Sequence, residues 1–172
     1  VGTGQAGILI AGAGVALDAV RVDYAAGAVE AAVLESAASL ADDGLILVEG
    51  QGSLCHPAST ATLPLLRGSQ ATDLVLVHRA RQECIKRLPQ IPLPPLRELL
   101  ECTEALARLA RPFDSGPPAR VKAVALNTSE LSEDAARQAV AEVEEDLNLP
   151  CTDPIRWCGE PLLEAVRKNR KG

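Results

Sequence analysis

Aromatic side chains are nearly missing from this sequence of 172 residues, which holds one Phe, one Tyr and one Trp and no Met. A stacking platform for single-stranded nucleic acid needs aromatics, so that class of function is set aside. The core must then be aliphatic, built from Leu, Val, Ile and Ala. Positive charge is also short: the formal net charge is −6, whereas a binder of phosphate backbones carries a basic face. No nucleic-acid partner is expected, and the basic cluster Arg167-Lys168-Asn169-Arg170-Lys171 reads as a solvated tail. No run approaches the roughly eighteen consecutive apolar residues of a membrane span. No leader with a basic start is present either, so no membrane partner is expected. The five cysteines (Cys55, Cys84, Cys102, Cys151 and Cys158) are odd in number and contain no C-x-x-C pair. Neither a disulfide framework nor a zinc knuckle follows, and reduced thiols in the cytoplasm fit best. A chain that starts at Val1 without Met reads as a piece of something longer.

What is present fits a single soluble α/β domain over residues 1–172, with apolar residues at 47% and charged residues at 23%. Short apolar runs alternate with stretches of helical period. Residues 7–11 read as a strand followed by the turn Gly12-Ala13-Gly14. Val22, Ala26, Val29, Val33, Ala37 and Leu40 recur at three- and four-residue steps and mark a helix over 22–40. Asp42-Asp43-Gly44 should end it and open a buried strand at 45–49. A second buried strand is expected at 74–78 and a third at 121–126. The prolines between 79 and 95 argue for a loop, and Pro95 opens a helix over 96–110 in which Cys102 is core. Ser132 caps another helix, with Glu133 and Asp134 in its first turn. A short strand near 151–155 and a helix from Pro161 complete the chain. Alternation of this kind implies a parallel sheet with helices on both faces.

The stretch Val48-Glu49-Gly50-Gln51-Gly52-Ser53-Leu54-Cys55-His56-Pro57 carries the densest polar chemistry. Glu49 ends an apolar strand, and ligands of open α/β sheets gather at carboxyl ends of strands. A carboxylate there can act as a general base or hold Mg²⁺ through oxygen, although it can also merely cap a helix. His56 is an acid/base candidate. His78 and Asn127 end the next two strands, which would bring Glu49, His78 and Asn127 to one sheet edge. Gly2-Thr3-Gly4-Gln5-Ala6-Gly7 matches the dinucleotide pattern G-x-G-x-x-G, but no strand precedes it, and a glycine turn entering a strand is the better reading. The phosphate loop G-x-x-x-x-G-K-[ST] does not occur.

Thr3-Gly4-Gln5-Ala6-Gly7-Ile8-Leu9-Ile10, the stretch 48–57, Leu66-Arg67-Gly68-Ser69-Gln70, Pro92-Leu93-Pro94-Pro95-Leu96 and Ala125-Leu126-Asn127-Thr128 occur in that order. Together they resemble a bacterial and archaeal family long known as a domain of unknown function, some of whose members are D-glutamate N-acetyltransferases. The likeness spans essentially the whole chain, and E-G-Q-G-S-L-x-H-P is its specific part. It implies a P-loop-like parallel α/β domain related to the dethiobiotin synthetase group. There a Glu-Gly dipeptide, here Glu49-Gly50, lies beside nucleotide phosphates and metal. It also implies an upstream Rossmann-like domain, a strand and a Gly-Lys phosphate loop before Thr3, so that this chain looks like the C-terminal half.

The activity implied is transfer of an acetyl group from acetyl-CoA to the amine of an acidic amino acid such as D-glutamate. Glu49 or His56 would serve as base. Gln5, Gln51, Ser53, Ser69, Gln70, His78 and Asn127 would orient substrate, and the planar fork of Arg67 would hold a carboxylate. Two other functions stay open: a nucleotide-dependent ligase or kinase-like enzyme with Mg²⁺ on Glu49, and a non-catalytic oligomerisation domain. An unpaired edge at 45–49 would be a template for association. The chain is thus expected to form a homo-oligomer, to pair with an N-terminal half, or to fill the gap with the segment around Ile8–Ala11.

Overall fold

The computed structural model describes residues 1–41, 44–109, 111–112 and 116–168, with only the backbone of Asp18. The features expected at Asp42-Asp43, at Ala110 and along the tail beyond Lys168 lie outside these. Contacts within the chain gather into two compact units, Val1–Ala71 with Leu106–Gly116, and Thr72–Ala105 with Pro117–Gly172.

In the first unit, residues expected to form a strand at 7–11 form helix α1 (Gln5–Ala11) instead. Ile8-Leu9-Ile10 has the composition of a strand, but both ends of the helix are satisfied by groups that local sequence does not reveal. The Glu49 carboxylate accepts backbone N–H bonds from Thr3 and Gly4 at its start. Gly12 ends it in the left-handed conformation, at φ 68°, and donates its N–H to Ile8 O. Helix α2 (Val22–Ala38) forms where a helix was expected and buries Ala25 and Val29 against Leu17 and Leu65, whereas Val22 and Leu40 of the expected stripe are exposed. Helix α3 (Thr62–Ser69) was not anticipated, and Pro64 in its first turn costs little there. Its Gly68 allows a close approach, since a Cβ would fall 2.2 Å from Ala26 O of α2.

The expected buried strand at 45–49 is corrected too. The segment joins no regular ladder; it bonds to Val1, through Val1 N–H to Leu47 O (2.6 Å) and Glu49 N–H to Val1 O (3.1 Å). None of 45–49 is buried, and Leu47 is 71% exposed.

The second unit is built on a parallel sheet of β1 (Asp73–Arg79), β4 (Arg120–Asn127) and β5 (Cys151–Thr152), in the order β1-β4-β5. Between β1 and β4 lie a hairpin, β2 (Cys84–Ile85) with β3 (Leu88–Pro92), and helix α4 (Leu96–Arg108). The hairpin replaces part of the loop expected at 79–95. Pro89 and Pro92 are tolerated in β3 because this ribbon has only two strands and needs few ladder donors. Helices α5 (Glu133–Leu147) and α6 (Glu160–Arg167) follow β4 and β5. Ser132 caps α5 as expected, its Oγ accepting from the Ala135 N–H. Val124 and Leu126 form the core with Ala139, Leu147 and Cys151, and Leu96, Leu100, Val140 and Val143 of α4 and α5 pack on it. Ala123 and Ala125, alternating to the other face of β4, are buried as well, so this strand is covered on both sides. The α/β class with a parallel sheet and helices is the observed architecture.

Candidate active site

Glu49 lies at the surface of the first unit with its carboxylate already engaged. Oε2 accepts the N–H of Thr3 at 2.9 Å and that of Gly4 at 3.4 Å, and the Thr3 hydroxyl donates to the Glu49 carbonyl at 3.2 Å. Thr3 is fully buried. The N–H bonds from Thr3 and Gly4 hold the carboxyl below the usual carboxylate range, and the Val1 amino group adds to the effect against a small opposing desolvation. Gly7 is what admits the carboxylate: a Cβ there would sit 2.0 Å from Oε2. A carboxylate whose pKa is lowered is a weaker base but remains an electrostatic partner for an ammonium group.

The loop after Glu49 folds around its own polar groups. Ser53 N–H donates to Ser59 Oγ, Cys55 N–H to Ser53 Oγ, and the Thr62 hydroxyl to Gln51 O. His56 Nδ1 accepts the Ala58 N–H at 3.1 Å. With Nδ1 an acceptor, the neutral ring carries its proton on Nε2, which makes His56 a donor through that atom. Gly52, at φ 76°, shapes the turn, since a Cβ would meet Ser59 Oγ at 2.1 Å. Gln51, Ser53, His56, Ser59 and Thr60 line a shallow cleft of about 400 Å³.

Four of the expected substrate groups lie on short helices of the same unit. Gln5 begins α1 and is exposed. Arg67 is exposed in the last turn of α3, with Ser69 at its end. Gln70 caps α3 in the left-handed conformation, at φ 47°, and its amide donates to Arg67 O at 2.7 Å. Arg111 donates to the carbonyls of Gln70 and Ala71, fixing this corner.

His78 and Asn127 belong to the second unit, at the carboxyl ends of neighbouring parallel strands, where His78 pairs with Leu126 and Arg79 with Asn127. Burial pushes the His78 imidazole down in pKa. It lines a cavity of about 220 Å³ with Arg81, Leu96, Leu126, Ala139 and Glu142, in which Arg81 and Glu142 pair at 2.7 Å. The Asn127 side chain accepts the Ser129 N–H at 3.0 Å, as an Asx turn.

Among the described residues, no three His, Cys, Asp or Glu side chains stand together as a metal-binding group. Glu49 would therefore offer a metal one carboxylate, with one oxygen already bonded to two N–H groups. Cysteines 55, 84, 102, 151 and 158 are all free thiols. Cys102, expected in the core, is exposed. Also among the described residues, no helix is long and apolar enough to cross a membrane.

Two groups escaped the sequence reading. One is Thr3, which binds Glu49 from 46 residues away, with Gly7, which leaves room for its carboxylate; the glycine pattern was visible, its partner was not. The other is the buried Asp153. Its Oδ2 accepts from the N–H and hydroxyl of Thr128, and its Oδ1 from the N–H groups of Ile155 and Arg156. Burial alone would raise this carboxyl, but those bonds outweigh it and the net shift is down.

Comparison with known proteins shows the family of the chain. The family model described as "Domain of unknown function (DUF1611_C) P-loop domain" matches residues 1–163. A D-glutamate N-acetyltransferase of Tritonibacter scottomollicae is 36% identical over 165 residues, covering 95% of this chain and 47% of that protein. One from a Pseudoalteromonas species is 34% identical over 155 residues, covering 90% and 44%. The crystal structure of a DUF1611 family protein from Anabaena variabilis ATCC 29413 superposes with a TM-score of 0.89 at 47% identity, over 98% of this chain and 48% of that one. The chain thus spans about half the length of the relatives it matches.

Proposed function

Because this chain belongs to the DUF1611 P-loop family, we propose that it is the P-loop-domain part of an N-acetyltransferase that moves an acetyl group from acetyl-CoA to the amine of an acidic amino acid such as D-glutamate. The observation that carries this reading is the name shared by two relatives at 36% and 34% identity over almost the whole chain. A cytoplasmic location goes with that donor.

The reaction forms a C–N bond at the thioester carbonyl and breaks the C–S bond. Negative charge develops on the carbonyl oxygen and positive charge on nitrogen. Glu49, kept ionised by Thr3 and Gly4, suits the nitrogen: it anchors the amine and stabilises the charge that grows there. The weak basicity that this ionisation brings argues against Glu49 as the group that first deprotonates the ammonium. His56 offers Nε2–H, which suits the oxyanion better than it suits proton abstraction, because a base at Nε2 would have to give up the bond from Ala58. The ammonium gives up one proton to solvent before attack, and the proton released from nitrogen as the amide forms ends on the departing thiolate. Arg67, exposed and unobstructed by an ion pair among the described contacts, is the group for a substrate carboxylate. Gln5, Gln51, Ser53, Ser69 and Gln70 supply neutral donors and acceptors on the same unit.

The description of the family as a P-loop domain favours a second reading, a nucleotide-dependent ligase or kinase-like reaction. One assay separates them. The protein carrying this domain together with the remaining half of its relatives is mixed with acetyl-CoA and D-glutamate, and thiol release is followed beside ATP hydrolysis. Thiol release that depends on D-glutamate and matches N-acetylglutamate formed is expected. ATP hydrolysis dependent on the amino acid, without thiol release, overturns the acetyltransferase reading.

A further inference from the structure

At the carboxyl end of β1, His78 borders the cavity of about 220 Å³ that lies wholly within the second unit. The acetyl-transfer chemistry above uses none of its lining. Burial sorts that lining into a floor and a rim. The floor is aliphatic: Leu126 and Ala139 are buried, and Leu96 and Val143 pack half-buried on the same core. The rim is charged, with Arg81, Glu83 and Glu142 all exposed. Ala139, Glu142 and Val143 stand three and four residues apart on α5, so one face of that helix carries both the wall and a charge.

The rim holds its two signs in a fixed arrangement. Arg81 meets Glu142 Oε2 at 2.7 Å, while Gln138, one turn back on α5, donates to Glu142 Oε1 at 3.0 Å. One carboxylate oxygen is thus steadied by the helix and the other is given to Arg81. The Arg81 and Glu142 side chains are 53% and 45% exposed, and a pair so open to water contributes little to stability. A ligand can part it at small cost. Arg81 also sits at φ 58°, a left-handed conformation that a residue with a side chain rarely adopts. Between rim and floor, the half-buried His78 ring has no hydrogen-bond partner among the described residues. Burial disfavours its imidazolium, and a neutral ring offers one donor and one acceptor nitrogen.

We infer that this cavity is a binding site for a free α-amino acid with a small aliphatic side chain. The ligand carboxylate takes the place of Glu142 on Arg81, and its ammonium takes the place of Arg81 on Glu142, with Glu83 adding negative charge at the same rim. A zwitterion is what this rim selects. A simple carboxylate would satisfy Arg81 and leave Glu142 facing an anion, and a simple amine would strand Arg81 in the same way. The floor selects the side chain, because an aliphatic group fits against Leu96, Leu126, Ala139 and Val143. A charged side chain placed there would lose its water and meet no group of opposite sign. The size agrees, since the cavity falls below the roughly 300–1,000 Å³ typical of sites for larger ligands.

Acetyl transfer need not occur for this ligand to bind, so calorimetric titration tests the site without a turnover assay. The longer protein that contains this chain is titrated with L-valine, D-valine, isovalerate and isobutylamine. Valine of at least one hand is expected to saturate a single site. The two compounds with one charge should bind at least about tenfold more weakly. Arg81→Gln and Glu142→Gln, both changes at exposed side chains, should each lower valine affinity about tenfold or more, while Glu49→Gln leaves it unchanged. No saturation by either valine up to tens of millimolar overturns the site. So does isovalerate binding as tightly as valine, which would reduce the rim to a lone cation. Full affinity in Arg81→Gln and Glu142→Gln, or a loss in Glu49→Gln, contradicts it by placing the amino acid elsewhere.

Discussion

Glu49 in the first unit and Asp153 in the second both accept backbone N–H bonds that reach across the sequence, from Thr3 and Gly4 in one case and from Thr128 in the other, and they do it in opposite surroundings. Asp153 is buried, accepts from Thr128, Ile155 and Arg156, and ties the end of β4 to the turn after β5. Glu49 is exposed, accepts from Thr3 and Gly4, and keeps its charge in contact with solvent. Both carboxyls are held below their ordinary range. The difference teaches what the bonds are for. A buried carboxylate with every lone pair used is a structural tie, while the exposed one, held by two N–H bonds, is the group we propose for a ligand.

Removing the tie should have the largest effect on stability. Asp153→Ala leaves buried donors without partners and is expected to cost about 3 kcal/mol, read as a lower urea midpoint. A loss below about 1 kcal/mol would erase the distinction between the two carboxylates. Gly7→Ala comes next. The new Cβ drives the Glu49 carboxylate from its seat, while alanine in a helix gains up to about 1 kcal/mol of propensity over glycine. Turnover of the longer protein should fall about tenfold or more with little loss of stability, in keeping with the sensitivity of catalysis to misplacement. Unchanged turnover would mean that the seat of Glu49 does not matter.

A smaller effect tests the second unit through pH. Burial depresses the folded His78 pKa below its unfolded value near 6.5, so the unfolded chain binds the proton more readily. Stability is then full above about pH 6.5 and declines as pH falls from there toward the folded pKa. His78→Gln should flatten that decline in a series of unfolding curves, and an unaltered slope would contradict the assignment. The smallest effect is in thiol reactivity. Burial and the nearby Glu144 push Cys151 up to about 12, so native protein should leave it unlabelled by iodoacetamide, whereas exposed Cys102 and Cys158 react. Labelling of Cys151 at a rate like theirs would show its core to be open.

The second unit was largely legible because its elements are fixed by their own sequences. The runs at 74–78 and 121–126 became β1 and β4, the period of 96–110 became α4, and Ser132 capped α5 as its chemistry requires. The first unit was legible only in α2. Its other elements involve distant partners: Glu49 bonds the start of α1, and 45–49 joins no ladder among the described residues, its backbone bonding to Val1 and Thr3. No local pattern in Ile8-Leu9-Ile10 records that. The site divides in the same way. Glu49 and His56 stood out by residue type and position, but the lowered basicity of one and the donor tautomer of the other come from Thr3, Gly4 and Ala58, which the motif alone does not assign.

Glu49→Gln in the longer protein, with turnover and urea unfolding measured on the same sample, tests most directly whether this exposed carboxylate serves chemistry and not stability. The amide keeps the shape and an acceptor oxygen for Thr3 but loses the charge. Turnover of acetyl-CoA with D-glutamate is expected to drop by about two orders of magnitude or more, with the unfolding midpoint within about 0.5 kcal/mol of wild type. Turnover near that of wild type, or a loss of stability as large as that of Asp153→Ala, would contradict it.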